Sequence, residues 1–272
     1  MTAGPLEQVA DWPVGVAAVA VVSSSGVVAT AGPVDRPFPL ASVTKVLTAM
    51  ACWVACEEGT LDLDAPVGPP GSTVRHLLAH ASGLAFDSDD VVAPPGRRRI
   101  YSNRGIELAA DHLAARASVP FDVYLTESVL QPLGLVATTL DGSPAADGIG
   151  TVDDLSRVAN ELLAPTLVAP ATLQAATAVV FPGLDGVLPG FGRQHPNDWG
   201  LGVEIRDAKS PHWTAEGNSP ATFGHFGRAG GFLWVDPLAG VACACLTDTD
   251  FGPWAATAWP LLSAAVLKEF SG

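Results

Sequence analysis

The sequence predicts an α+β fold in which strands from both chain ends join one antiparallel sheet, helices flank that sheet, and a mainly helical lobe is inserted between them. Two observations predict it. Short Val-rich runs open the chain and strand-like runs return near its end, from Trp199 on ("WGLGVEI", "GFLWVDP", "GVACACLTD"). Between them, from about Thr73 to Leu163, the chain is dominated by helical segments broken by Pro and Gly. The expected division is 1–70 with 195–272 as an α/β lobe around the sheet and 71–194 as the helical lobe.

Val14 to Val22 ("VGVAAVAVV") and Gly26 to Ala31 ("GVVATA") are separated by Ser23-Ser24-Ser25, a turn-forming cluster, and predict a hairpin. After Ser42 comes "VLTAMACWVACEEG", apolar on every face and ending at Gly59, where a C-cap belongs, which predicts a buried helix. "TVRHLLAHA", "RGIELAADHLAARA" and "FDVYLTESVLQPLG" supply the helical middle. Residues 164–198, rich in Pro, Ala and Gly, resist assignment, and "WAATAWPLLSAAVLKEF" closes the chain as a helix. The first and last helices are expected to cover the sheet.

Length and composition narrow the function. The 272 residues, 48% of them hydrophobic, are enough for a large packed core. With 14 basic against 28 acidic residues the formal charge is −14, which argues against nucleic acid and anionic membrane surfaces and favours a small-molecule or peptide partner. "MTAGPLEQVADWPVG" has no basic n-region followed by an apolar h-region, and no run is long and apolar enough to span a membrane, so a cytoplasmic protein is expected. Cys52 with Cys56 and Cys243 with Cys245 lack the C-x-x-C spacing of zinc sites and read as reduced core thiols. No cofactor is called for, and nothing in the sequence speaks to oligomeric state.

The stretch "LASVTKVL" (Leu40 to Leu47) carries the chemistry. Lys45 is one of only three lysines and stands three residues after Ser42. A helix starting near Ser42 places Ser42 at its positive end and Lys45 one turn on, on the same face. A serine hydroxyl becomes a useful nucleophile when a neighbouring base removes its proton, and an unprotonated amine can be that base. Moving a lysine from ~10.4 to about 7 requires roughly 4.5 kcal/mol of differential interaction, which an apolar setting supplies. Val43, Val46, Leu47 and Met50 provide that setting, and the next Glu along the chain is Glu57. Tyr101, in "RRRIYSNRG", has a phenol that ionises below its usual ~10 wherever a lysine is its near neighbour, the two groups then titrating as a pair.

The order Ser42-x-x-Lys45, Tyr101-x-Asn103, His225-x-Gly227 resembles the signature of the serine β-lactamase and penicillin-binding-protein fold. The similarity is to its branch of class C β-lactamases, D-Ala-D-Ala peptidases and esterases. "VRHLLAHASGL" (Val74 to Leu84) and "GFLWVDP" (Gly231 to Pro237) are similar to further stretches of that branch. The resemblance implies a β-lactamase-like, two-lobed enzyme with Ser42 as nucleophile and Lys45 and Tyr101 as the pair that moves its proton. It implies that Asn103 holds a substrate carbonyl and that His225 and Gly227 lie on the strand edging the cleft. It also implies an oxyanion held by the backbone N–H groups of Ser42 and Arg228. Members with a lysine in the third motif present a cation where this chain has His225, which is expected to position substrate or anion. Arg228, immediately after the motif, could restore carboxylate recognition, although strand alternation would point Arg228 and His225 to opposite faces. The loops "GPVDRPFPLAS" and Thr60 to Thr73 look short beside the family, which implies a more open cleft.

His76 and His80 lack the adjacent Glu of a metalloprotease helix, so His80 reads as a hydrogen-bonding group at a helix end and no metal is expected. Arg97-Arg98-Arg99 reads as a solvated face, or as a means of attracting an anionic substrate to the cleft mouth, and "FDSDD" (Phe86 to Asp90) as a solvated loop. Three functions are compatible with the sequence. The leading one is a serine hydrolase forming an acyl-enzyme from a small ester or reactive amide. The second is a D-alanyl peptidase or weak β-lactamase, and the third a binding protein that kept the fold without catalysis.

Overall fold

The computed structural model describes residues 4–271. The strands, in chain order, are β1 (Ala17–Ser23), β2 (Gly26–Ala31), β3 (Phe38–Pro39), β4 (Thr139–Leu140), β5 (Gly148–Gly150), β6 (Gly186–Leu188), β7 (Gly192–Gln194), β8 (Glu204–Ile205), β9 (Phe223–Gly227), β10 (Gly231–Asp236) and β11 (Val241–Thr247). The helices are α1 (Thr44–Glu57), α2 (Val74–Leu78), α3 (Asn103–Ala117), α4 (Phe121–Leu125), α5 (Val152–Leu163), α6 (Pro170–Ala176) and α7 (Pro253–Phe270).

The serine cluster turns the chain as expected, with Ser23 opposite Gly26 in the antiparallel β1–β2 hairpin. β1 then pairs antiparallel with β11, Ala17 opposite Thr247 through Ser23 opposite Val241, so the two chain ends close one six-stranded sheet in the order β2-β1-β11-β10-β9-β8. Both faces of its central strands are buried, which explains why β1 and β11 read as continuous apolar runs. Because side chains alternate, Val19, Val21, Phe232, Trp234, Cys243 and Cys245 face Trp259, Leu262 and Val266 of α7. Ala18, Ala20, Leu233, Val235, Ala244 and Leu246 share the other core with α1 and α5. The cysteines are free, and all but half-buried Cys56 are buried.

The expectation that the first and last helices cover the sheet is incomplete. Helix α5, which the sequence places in the helical middle, lies directly on β1 and β11. Its Val152, Leu155, Val158, Ala159 and Leu162 form a buried stripe at helical spacing, which marks an apolar face without saying what it meets. The unassigned stretch 164–198 contains α6 and the short β6–β7 hairpin.

Helix α1 runs through the middle of the molecule with 11 of its 14 residues buried. Close approach fixes it in place: Gly202 has φ +85°, and a Cβ there would lie 2.5 Å from the Ala49 Cβ. No helix among the described residues is long and apolar enough to cross a membrane.

Candidate active site

Ser42 sits in a 3-10 turn, Ala41–Val43, that runs into α1, half-buried and one turn before Lys45. Ala41, immediately before it, has φ +44°, a strained value for a residue with a Cβ. Lys45 is fully buried, and its Nζ lies 3.1 Å from Ser42 Oγ, 2.6 Å from Asn103 Oδ1 and 2.8 Å from the Ala145 carbonyl. The carbonyl is brought there by other α1 side chains: Thr48 donates to the Pro144 carbonyl and Thr44 accepts from Gly148 N–H.

Burial pulls the Lys45 amine down to about 7, even though the Asp87 and Glu107 carboxylates oppose the shift. The surroundings are therefore not free of carboxylates, as the local sequence implied; both come from elsewhere in the chain. The donor count matters here. A neutral amine has two N–H groups and one lone pair, and two of the three neighbours, Asn103 Oδ1 and the Ala145 carbonyl, can only accept. The lone pair is left to Ser42 O–H.

Tyr101 and Asn103 are placed by a cap. Ser102 is the N-cap of α3, accepting from Gly105 N–H and donating to the Ala85 carbonyl, so Tyr101 and Asn103 flank a fixed corner. Asn103 Nδ2 donates to Asp87 at 2.9 Å. Tyr101 O–H donates to Ser42 Oγ at 2.7 Å and lies 3.4 Å from His225 Nε2. Burial raises the phenol pKa well above its ordinary value, with the hydrogen bond to Ser42 opposing, so the expectation of an easily ionised Tyr101 is corrected: it stays a proton donor at neutral pH.

His225 faces this group because of its strand register. It pairs with Leu233, which lies in the α1-side core, whereas its neighbour Phe226 packs on the α7 side. Burial, helped by the nearby Lys45, lowers the imidazole pKa to about 3, so His225 is neutral. Gly227, two residues on, runs beside the nucleophile's backbone: a Cβ there would lie 2.5 Å from the Leu40 carbonyl oxygen and 3.2 Å from Ser42 N. Only glycine lets the strand approach that closely. Arg228 lies past the end of β9 and lines the same cleft as His225, so alternation does not separate them.

The structure thus brings Ser42, Lys45, Tyr101, Asn103 and His225 into one connected cluster, with Gly227 against Ser42 and Arg228 at the cleft wall. The cleft has a volume of about 1260 Å³, beyond the usual few hundred to ~1,000 Å³ of small-molecule pockets. Further groups support this cluster, of which the sequence marked only His80, as a hydrogen-bonding group at a helix end. His80 accepts from Ser102 N–H and, like Trp199, packs against the Tyr101 ring. "FDSDD" is not simply solvated, because Phe86 stacks on Tyr101 and Asp87 holds Asn103. Arg99 leaves the expected solvated face: it is 3% exposed and donates to the Asn197, Ala79, Val180 and Phe181 carbonyls.

Comparison with known proteins shows the family and the fold. The Beta-lactamase family model matches residues 9–268. A crystal structure of a beta-lactamase from Mycobacterium bovis is 55% identical, covers 98% of this chain and 100% of its own, and superposes with a TM-score of 0.97. EstCE1, described as a hydrolase with promiscuous acyltransferase activity, shares the fold at 18% identity over 97% of this chain and 96% of its own, with a TM-score of 0.80. The D-alanyl-D-alanine-carboxypeptidase/endopeptidase AmpH of Escherichia coli (strain K12) is 26% identical over 147 residues, 40% of this chain and 38% of that protein, so the match spans well under half of that relative. The family match along nearly the whole sequence, on a chain whose Ser-x-x-Lys, Tyr-x-Asn and His-x-Gly segments meet in one cleft, establishes that this protein belongs to the Beta-lactamase family.

Proposed function

We propose that the chain is a serine hydrolase that forms an acyl-enzyme on Ser42 and prefers small carboxylic esters. The observation that carries this reading is Ser42 Oγ held 2.7 Å from the Tyr101 hydroxyl and 3.1 Å from a Lys45 amine that is half neutral near pH 7. Lys45 takes the Ser42 proton as Oγ bonds to the substrate carbonyl carbon, and the displaced π pair becomes an oxyanion held by the Ser42 and Arg228 N–H groups. Each such donor contributes about 10²–10³-fold in rate. Collapse breaks the ester C–O bond, and the departing alkoxide takes a proton from Tyr101, which Lys45 replaces. Water then cleaves the acyl-enzyme by the same transfers in reverse.

The competing reading, a D-alanyl peptidase or weak β-lactamase, is favoured by the names of the E. coli and M. bovis relatives. Neutral, buried His225 weighs against it: the third motif itself offers no cation to the carboxylate that those substrates carry beside the bond to be cleaved, which leaves only the exposed Arg228 guanidinium, just past the strand end at the cleft wall, to meet it. The test is intact-mass analysis after exposure to an activated ester, a fluorophosphonate and a penicillin in parallel. A covalent adduct is expected on the wild type, mapped to Ser42, and none on Ser42→Ala, whose fold should be unchanged because only a half-buried hydroxyl is lost. Equal labelling of the variant would falsify the assignment.

A further inference from the structure

The cleft is charged against the molecule. The chain carries 28 carboxylates and a formal charge of −14, yet the cleft is lined by Arg97, Arg98, Arg99, Arg193 and Arg228, five of its eleven arginines. Only two acidic residues, Asp185 and Glu204, share that lining, and both are already engaged. Asp185 meets His195 at 2.9 Å, and Glu204 is buried against Lys209 and His212. Arg99 is tied up by backbone carbonyls. Arg97, Arg98, Arg193 and Arg228 are exposed, and no ion pair among the described residues includes any of them.

The backbone holds these arginines around one opening. Segment 97–99 is joined to the root of the β6–β7 hairpin, with Arg99 N–H donating to the Asp185 carbonyl and Arg99 bridging to Gly186. Arg193 stands on β7 opposite Val187. At the hairpin tip a Cβ on Gly190 would lie 2.6 Å from the Phe251 ring, and Phe251 N–H donates to the Arg228 carbonyl. The hairpin therefore runs from the Arg97–Arg98 side of the cleft to the Arg228 side. Unpaired guanidiniums converging on a cleft with apolar walls are suited to an oxyanion, which they can bind through paired N–H donors. A positive cleft in an acidic molecule also focuses anions that the remaining surface repels.

We infer that the preferred substrate is an ester carrying a carboxylate or phosphate on the part remote from the scissile bond, held at the cleft mouth by Arg97, Arg98 and Arg193. This rests on the acyl-enzyme reading above and adds the substrate class to it.

The experiment compares kcat/KM for three 4-nitrophenyl esters of one chain length: a hemiadipate, its neutral methyl-adipate counterpart, and a 6-phosphooxyhexanoate. The wild type is expected to favour at least one anionic ester over the neutral one by about tenfold or more, the scale of one or two charge-assisted hydrogen bonds. The arm that gains more identifies the anion. Raising the salt from 0.05 to about 0.5 M should shrink the preference, since the arginines are exposed. The Arg97→Gln/Arg98→Gln and Arg193→Gln proteins should each bring the anionic-to-neutral ratio toward one. Equal rates for charged and neutral esters in the wild type overturn the inference while leaving the acyl-enzyme reading intact. So does a preference that survives both sets of substitutions. If no ester acylates Ser42, the hydrolase reading fails separately, and calorimetric titration of the wild type with adipate and with inorganic phosphate decides the anion site. Binding that is weakened in the glutamine variants supports the site, and absence of binding overturns it.

Discussion

Lys45 should govern how activity depends on pH. Its amine, moved by burial to about 7, has no lone pair for Ser42 below that value, since the ammonium carries a proton there. The sign follows: kcat/KM should climb with pH through a single-proton limb near 7 and level off above about 8. Tyr101 is shifted the other way by burial, so no second ionisation should interrupt the plateau at mildly alkaline pH. In Lys45→Ala the limb should vanish, and a profile unchanged in that variant removes Lys45 as the base. Lys45→Ala and Tyr101→Phe should each lower kcat by about 10² or more, and the double variant should lose much less than the product, because both contact the same Ser42 Oγ and serve one transfer. Fully multiplicative losses would show two independent roles.

At the level of elements, the β8 edge of the sheet is held by charge where the rest is held by apolar packing. Glu204 on β8 accepts from the Lys209 ammonium, meets His212 Nε2 at 2.9 Å and accepts from Trp213 Nε1 at 2.9 Å, all within a buried loop. Burial alone would raise the carboxyl pKa, but His212 and Lys209 more than offset it and hold it well below the ordinary carboxylate range. Breaking such a pair from one side leaves a buried charge without its partner. Glu204→Gln should therefore cost about 3 kcal/mol. In a domain of this size that lowers Tm by roughly 6–12 °C, readable by thermal unfolding. Glu204→Leu combined with Lys209→Met should recover much of the loss, since the pair is removed whole. None of this was visible in the sequence, where Lys209 stood out only as one of three lysines. Its partners lie in an aperiodic loop, and sequence spacing predicts contacts only inside helices and strands. Helix α5 shows the same limit from the other side: its periodicity marks a buried face and is silent about the sheet that buries it.

Across the whole molecule, the sheet built from both chain ends was legible because doubly buried strands must be written as unbroken apolar runs, and the meeting of Ser42, Lys45 and Tyr101 in one cluster was legible because their motifs follow one another in the order that the family resemblance supplies. Asp87 and Trp199 were not, since each reaches the site through a loop fold that no spacing encodes, and His80, legible as a helix-end hydrogen-bonding group, gave no sign that its partner is the Ser102 N–H beside Tyr101. The substrate depends on both kinds of residue. A penicillin or D-Ala-D-Ala peptide carries its carboxylate beside the bond to be cleaved, and next to Tyr101 this chain has the neutral imidazole of His225, with Arg228 past the strand end as the nearest cleft cation of the third motif. An amide nitrogen must also be protonated to leave, whereas an activated ester releases an alkoxide or phenoxide with little help, so a site whose donor is a strongly held Tyr101 phenol should favour the ester. Short-chain activated esters should accordingly be cleaved with kcat/KM at least about 10²-fold above that for penicillins or D-Ala-D-Ala peptides, a gap of roughly 2.7 kcal/mol in transition-state binding. His225→Lys should narrow that gap by restoring a cation beside Tyr101. If purified wild-type protein opens a penicillin or releases D-alanine as fast as it cleaves such esters, a neutral third motif suffices for carboxylate substrates and the peptidase or β-lactamase reading replaces the esterase one.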